Sequence, residues 1–133
     1  KYIIKERRKQ AAQYDKILKN ISNLKLQKIP SEIKSSYYKY IIFVKNSVRD
    51  KIKKAMYRKF GVSLPGEVYR TLCHSQPVFK KHKSEILKMG SQSFVNAKKV
   101  ASEQLCLPLY PGLKKKEITY IADSLIKILK NYN

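Results

Sequence analysis

At 133 residues, 43% of them hydrophobic and ten of them tyrosine, the chain is long enough to bury one core and too apolar for disorder. No apolar run approaches the ~20 residues of a membrane-spanning helix, and two cysteines are too few for a disulfide framework, so a reduced, cytoplasmic protein with no membrane partner is expected. Thirty basic against nine acidic side chains give a net charge of +21, which admits an anionic partner such as nucleic acid, although the basic residues are mostly scattered lysines, as on a solvated surface.

Residues 1–20 read as a helix: Ile4, Ala11 and Leu18 recur every seven positions, Tyr14 and Ile21 complete the stripe, and basic side chains fill the other face. Asn and Ser at 20–23 end it, because their side chains compete for backbone hydrogen bonds. Residues 24–29 alternate as a short strand that Pro30 stops. Residues 35–44 are β-branched and aromatic, with both faces apolar toward the end, which predicts a central strand covered on both sides. A second helix opens at Asn46-Ser47, with Ser47 as cap, Asp50 for the helix dipole, a face of Val48, Ile52, Ala55, Met56 and Lys59, and Gly61 as terminator.

Residues 62–69 read as a strand or extended segment interrupted by Pro65-Gly66, followed by a loop with Cys73, His74, Gln76, Pro77 and Phe79. Phe94, Ala97, Val100 and Ala101 form a further helical stripe. Two prolines bar a helix from 107–112, which must be extended and tight. Ile118, Ile121, Ala122, Leu125, Ile128 and Leu129 mark a last helix. The order α-β-β-α-β-α-α predicts one α+β (α/β) domain with a small sheet across residues 1–133.

Metal binding by Cys73, His74, His82 and Cys106 is disfavoured. Ligands at adjacent positions have none of the spacing that closes a tetrahedral site, and Cys106 reads as a small buried hydrophobe. No Ser/His/Asp arrangement and no glycine-rich phosphate loop is present.

Three segments, in this order, resemble the DegT–DnrJ–StrS family of aminotransferases. Arg7 to Leu18 is similar to that family's connecting helix, with its R-x-x-x-A-x-x-Y-x-x-x-L pattern. Gly61-Val62, Glu67-Val68-Tyr69 and Cys73-His74-Ser75-Gln76-Pro77-Val78-Phe79 are similar to its tyrosine followed by H-x-Q-P. Leu105-Cys106-Leu107-Pro108-Leu109-Tyr110-Pro111-Gly112-Leu113, with Glu117 and Ile118 behind, is similar to its L-P-L-Y-P-x-L ending.

The resemblance implies the small C-terminal domain of the aspartate-aminotransferase-like fold, a short antiparallel sheet packed against helices. It implies a parent enzyme, a homodimer, that uses pyridoxal phosphate to move an amino group, usually from glutamate, onto a keto-sugar nucleotide. The large domain that holds the cofactor and the Schiff-base lysine is expected to lie outside this chain, so no catalytic, cofactor-binding or metal-binding residue is assigned here and the chain alone is expected to be inactive. His74, Tyr69 and Gln76 are the substrate-binding candidates, since imidazole, phenol and amide read hydroxyls and phosphate oxygens. A domain parted from its large partner should leave some of the stripe Ile4, Ala11, Tyr14, Leu18 unburied. The alternative is a free-standing basic binding module, for nucleic acid or another anion, that keeps the small-domain fold. One departure stands out: Lys114, Lys115 and Lys116 occupy the head of the last helix, where the family has Thr or Ser followed by acids.

Overall fold

Four residues, Tyr40–Phe43 (β2), form the middle of the sheet, because their β-branched and aromatic side chains suit a pleated surface. The computed structural model describes residues 1–64, 66, 67, 71–82 and 94–132. Among them β2 pairs antiparallel with Lys25–Leu26 (β1) on one side and with Gln104–Leu107 (β3) on the other. The register sets Lys25 opposite Phe43, and Tyr40 opposite Leu107. Tyr40 and Ile42 face the core while Ile41 and Phe43 are half-buried. The strand is therefore central, as expected, but its second face is only partly covered.

It is also shorter than 35–44. Tyr37 takes φ 46°, a left-handed conformation no strand accommodates, and its N–H donates to Ser35 Oγ at 3.1 Å. Likewise only Lys25–Leu26 of 24–29 pairs as strand. The third strand observed is β3, Gln104–Leu107, which the sequence reading did not assign and which ends where the stretch 107–112 expected to be extended begins. The described part of 62–69 is not strand, although Val62 and Leu64 are buried; Pro65 and 68–70 lie outside the described residues.

Four helices surround the sheet among the described residues. Tyr2–Leu18 (α1) buries Gln10, Ala11, Tyr14 and Leu18 at three- and four-residue spacing, as its stripe predicts. The stripe does not continue to the first turn: Tyr2, Ile3 and Ile4 are 70%, 50% and 38% exposed. Asn46–Phe60 (α2) buries Arg49, Ile52 and Met56. Its N-cap is Lys45, without a side-chain cap bond, so Ser47 does not cap it, and Asp50 pairs with the neighbouring Arg49. Val95–Glu103 (α3) buries no residue, and Val100 of its expected stripe is exposed. Lys115–Leu129 (α4) buries all six predicted apolar residues, and Ser124 with them. α4 lies against both α1 and α2 and closes the core over the sheet. Each large aliphatic side chain so buried contributes about 1.5–3 kcal/mol relative to exposure.

Gly61 terminates α2 as its sequence position predicts. It takes φ 65° and donates its N–H to the Tyr57 carbonyl at 2.9 Å, while the Val62 N–H donates to the Met56 carbonyl at 3.1 Å. A Cβ there would meet nothing within 4 Å, so the cost of a side chain is conformational alone. Gly61→Ala should cost about 1–2 kcal/mol, read as a lower urea midpoint with an unchanged slope.

Candidate functional site

The His74 loop is built from two short 3₁₀ segments, Cys73–Ser75 and Pro77–His82. Pro77 disfavours a helical Gln76, which is extended with ψ 145° and separates the turns. The Ser75 N–H donates to the Leu72 carbonyl at 2.9 Å, Gln76 to Cys73 at 3.0 Å, and Phe79 to Gln76 at 3.0 Å. On this frame the His74 ring lies flat on Phe94, centroids 4.0 Å apart and planes 12° from parallel. Phe94 heads α3 at φ 49°, and its carbonyl accepts the Lys98 N–H at 2.9 Å. A left-handed phenylalanine costs about 1–2 kcal/mol, which the stacking contact helps to offset. His74 Nε2 is shielded from solvent and meets no hydrogen-bond partner among the described residues. Gln76 is half-buried. Tyr69 lies outside the described residues.

A second feature is a cleft of about 910 Å³ between the turn after β3, the head of α4 and the segment after α2. Its floor is apolar, with Leu107, Pro108, Leu109 and Ile121; Lys39, Lys116 and Glu117 supply charge. Neither His74 nor Gln76 lines it.

The wall of this cleft is held from α1. Pro108 and Pro111 leave the turn short of N–H donors, so its carbonyls must find other partners. Gln10 Nε2 donates to the Tyr110 carbonyl at 2.9 Å and to the Leu113 carbonyl at 3.2 Å. Tyr14 Oη donates to the Pro108 carbonyl at 3.0 Å. Beside it Tyr40 stacks on Tyr14, centroids 4.8 Å apart, and donates its hydroxyl to Asp15 Oδ1 at 2.6 Å. Burial pushes both hydroxyls well above the ordinary tyrosine range, and for Tyr40 the bond to Asp15 adds to it.

At the head of α4 the three lysines do not stand alone. Glu117, in the first turn, accepts the Lys114 N–H on Oε2 at 2.7 Å, which gives the helix its acidic cap three residues late. An ion network around the buried Arg49 ties α2 to the end of α3. Arg49 donates to Asp50 at 2.9 Å and to the Ala101 carbonyl at 3.0 Å; its Nη2 is 3.8 Å from Glu67, which also pairs with Lys53. Sequence reasoning missed Arg49, which falls among many lysines, and its only signal was its place one turn before Ile52 and Lys53. Cys106 is buried as expected, and Cys73 is exposed.

The model of the DegT/DnrJ/EryC1/StrS aminotransferase family matches residues 1–126. The chain belongs to that family. Aminotransferase TlmJ from Streptoalloteichus hindustanus is 25% identical over 99% of this chain, with a TM-score of 0.77. NtdA from Bacillus subtilis, solved with bound cofactor PMP, is 23% identical over 97% of it, with a TM-score of 0.81. Helicobacter pylori PseC, an aminotransferase involved in pseudoaminic acid biosynthesis, is 19% identical over 98%, with a TM-score of 0.72. The matches cover 33%, 29% and 33% of those chains, so this chain spans about a third of their length. No curated protein matches the chain. The mixed α+β fold with an antiparallel sheet is that of these aminotransferases. Of the three motif segments, the first and third meet, through Gln10 and Tyr14; Gly61-Val62 of the second lines the cleft with the third, while its His74 does not. No helix among the described residues is long and apolar enough to cross a membrane.

Proposed function

We propose that this chain is the small domain of a sugar aminotransferase that moves an amino group, from glutamate, onto a keto-sugar nucleotide. The family match over residues 1–126 carries this reading, and it favours it over a free-standing basic binding module. The parent enzyme is a cytoplasmic homodimer in this proposal. The exposed first turn of α1, with Tyr2, Ile3 and Ile4, is the surface offered to the large domain.

In the parent, pyridoxal phosphate supplies the electron sink for amino transfer. The residues of the cleft described above do not fit that cofactor. The carboxylate of Glu117 accepts the Lys114 N–H, and Lys39 Nζ donates to the Gly66 carbonyl at 2.8 Å. Both groups thus have structural partners within this domain, and in this reading the cofactor belongs to the large domain. The chain alone is accordingly inactive in this reading.

This domain's own contribution is to hold substrate. His74, with Tyr69 and Gln76, binds the sugar or its diphosphate; the shielded His74 Nε2, on a ring fixed against Phe94, supports that role. In the full-length enzyme, His74→Ala should raise KM about 5–30-fold, the worth of one hydrogen bond to a partly charged group, and leave kcat nearly unchanged. A kcat lower by several orders of magnitude at constant KM would make His74 catalytic. Absence of glutamate-dependent amino transfer by a folded full-length enzyme would end the wider proposal.

A further inference from the structure

Arg49 lies on the face of α2 that also carries Ile52 and Met56 into the core, and it is only 6% exposed. Burying a guanidinium is costly unless its donors are met, and an apolar side chain would fill the same place without that cost. What the arginine adds is its reach. Its Nε and Nη2 donate to Asp50 Oδ1 at 3.1 and 2.9 Å, which sets the plane of the group. In that plane Nη1 donates to the Ala101 carbonyl at 3.0 Å, and Nη2 stands 3.8 Å from Glu67 Oε1.

Both outer contacts lead to His74. α3 buries no residue and has no basic side chain in its last turn, so neither apolar packing nor a charge of its own secures its end. The Gln104 N–H bonds back to Val100 and Leu105 belongs to β3, so the Ala101 carbonyl has no helical N–H to accept. Arg49 supplies the missing donor and the positive charge that a helix C-terminus favours. At the head of the same helix, Phe94 carries the His74 ring at 4.0 Å. Glu67, the second contact, precedes His74 by seven residues and pairs also with Lys53, so it holds the chain that enters the loop. One guanidinium thus grips the entrance of the loop and the helix on which its histidine rests.

We propose that Arg49 is the positioning residue for His74: it fixes the imidazole in place for substrate and does not touch substrate itself. The proposal rests on the reading of His74 as a substrate-binding residue. A lysine at this position keeps the charge but lacks the planar fork, so it cannot hold Asp50, Ala101 and Glu67 together. Loss of either outer contact frees the imidazole to leave the face of Phe94.

The His74 ring itself reports the outcome. The chain has two histidines, and the face of Phe94 shifts the His74 ring protons upfield in the proton NMR spectrum; the signal missing from His74→Ala is the one to follow. Arg49→Lys should move that signal toward the free-imidazole position. Glu67→Gln, which keeps the shape of the side chain, should move it the same way by less, and Lys54→Ala, on the exposed face of α2, should leave it in place. Unchanged amide shifts in β2 and α4 show that the fold is intact; if Arg49→Lys does not fold, Glu67→Gln decides alone. In the full-length enzyme Arg49→Lys should raise KM about 3–10-fold at nearly constant kcat, and should raise it no further in the His74→Ala background, because both act through one side chain. The proposal is overturned if the His74 signal stays in place in the folded variants. It is equally overturned if Arg49→Lys raises KM as much with His74→Ala as without it. If His74→Ala leaves KM unchanged while Arg49→Lys moves the ring, the substrate reading of His74 fails and the hold of Arg49 on the ring stands.

Discussion

Above pH 10 the chain should lose stability steeply, by about 1.4 kcal/mol per pH unit for each of two tyrosines. Tyr14 and Tyr40 are both buried, and each holds its proton in the fold well past the ordinary tyrosine range, first because burial disfavours the phenolate. For Tyr40 the hydroxyl also donates to the Asp15 carboxylate, whose charge opposes a second anion. The unfolded chain releases these protons near pH 10 while the folded chain keeps them. Their contribution is therefore fully present below pH 10 and is lost as pH rises toward the folded values. Urea unfolding followed across that range should show the decline, and Tyr14→Phe with Tyr40→Phe should flatten it by about 2.7 kcal/mol per pH unit. The many lysines are common to both proteins and cancel in the comparison. An equal slope in the double variant would mean that these hydroxyls are not the groups that unfold the chain in base.

Leu125→Ala should cost about 2–5 kcal/mol, a large share of the roughly 5–15 kcal/mol of a typical domain. Leu125 is fully buried on α4, the helix that packs on both α1 and α2, so no single neighbour can move in to fill the cavity. Lys127→Ala, two residues along on the exposed face of the same helix, should stay within about 0.5 kcal/mol. The contrast in urea midpoints checks the placement of the core. A cost below about 1 kcal/mol at Leu125 would show that α4 is not what closes it.

How much of this was legible in the sequence depended on how a residue earns its place. α4 was read completely because burial alone decides its six apolar positions, and burial follows the helical period. Gly61 was legible because only a glycine takes its backbone angle cheaply. β2 was found but overextended, since aromatic residues carry the strand signal at Tyr37 and Tyr38 while the backbone turns at Tyr37. The strand role of Gln104–Leu107 was hidden because its pairing with β2 bridges about sixty residues, which no local pattern records. The same holds for the site. His74 stood out by its chemistry, but its partner Phe94 lies twenty residues away and reads locally as one more apolar residue of a helix. Gln10 looked like part of the polar face of α1, because nothing nearby in sequence announces the carbonyls of a turn a hundred residues later.

That last separation bears on the order in which the chain can fold. α1 precedes its partners in α4 and in the turn at 108–113 by about a hundred residues. At a synthesis rate of about 5–20 residues per second, Ala11, Tyr14 and Leu18 wait roughly 5–20 s after they are made before any of those contacts exists. Closing so long a loop is also the entropically expensive step of folding, which holds the rate down even for a complete chain. The apolar stripe of α1 thus meets Tyr40 early but α4 only once residues 115–129 are made, and in that interval the part of the stripe that packs on α4 stays open to other apolar surfaces.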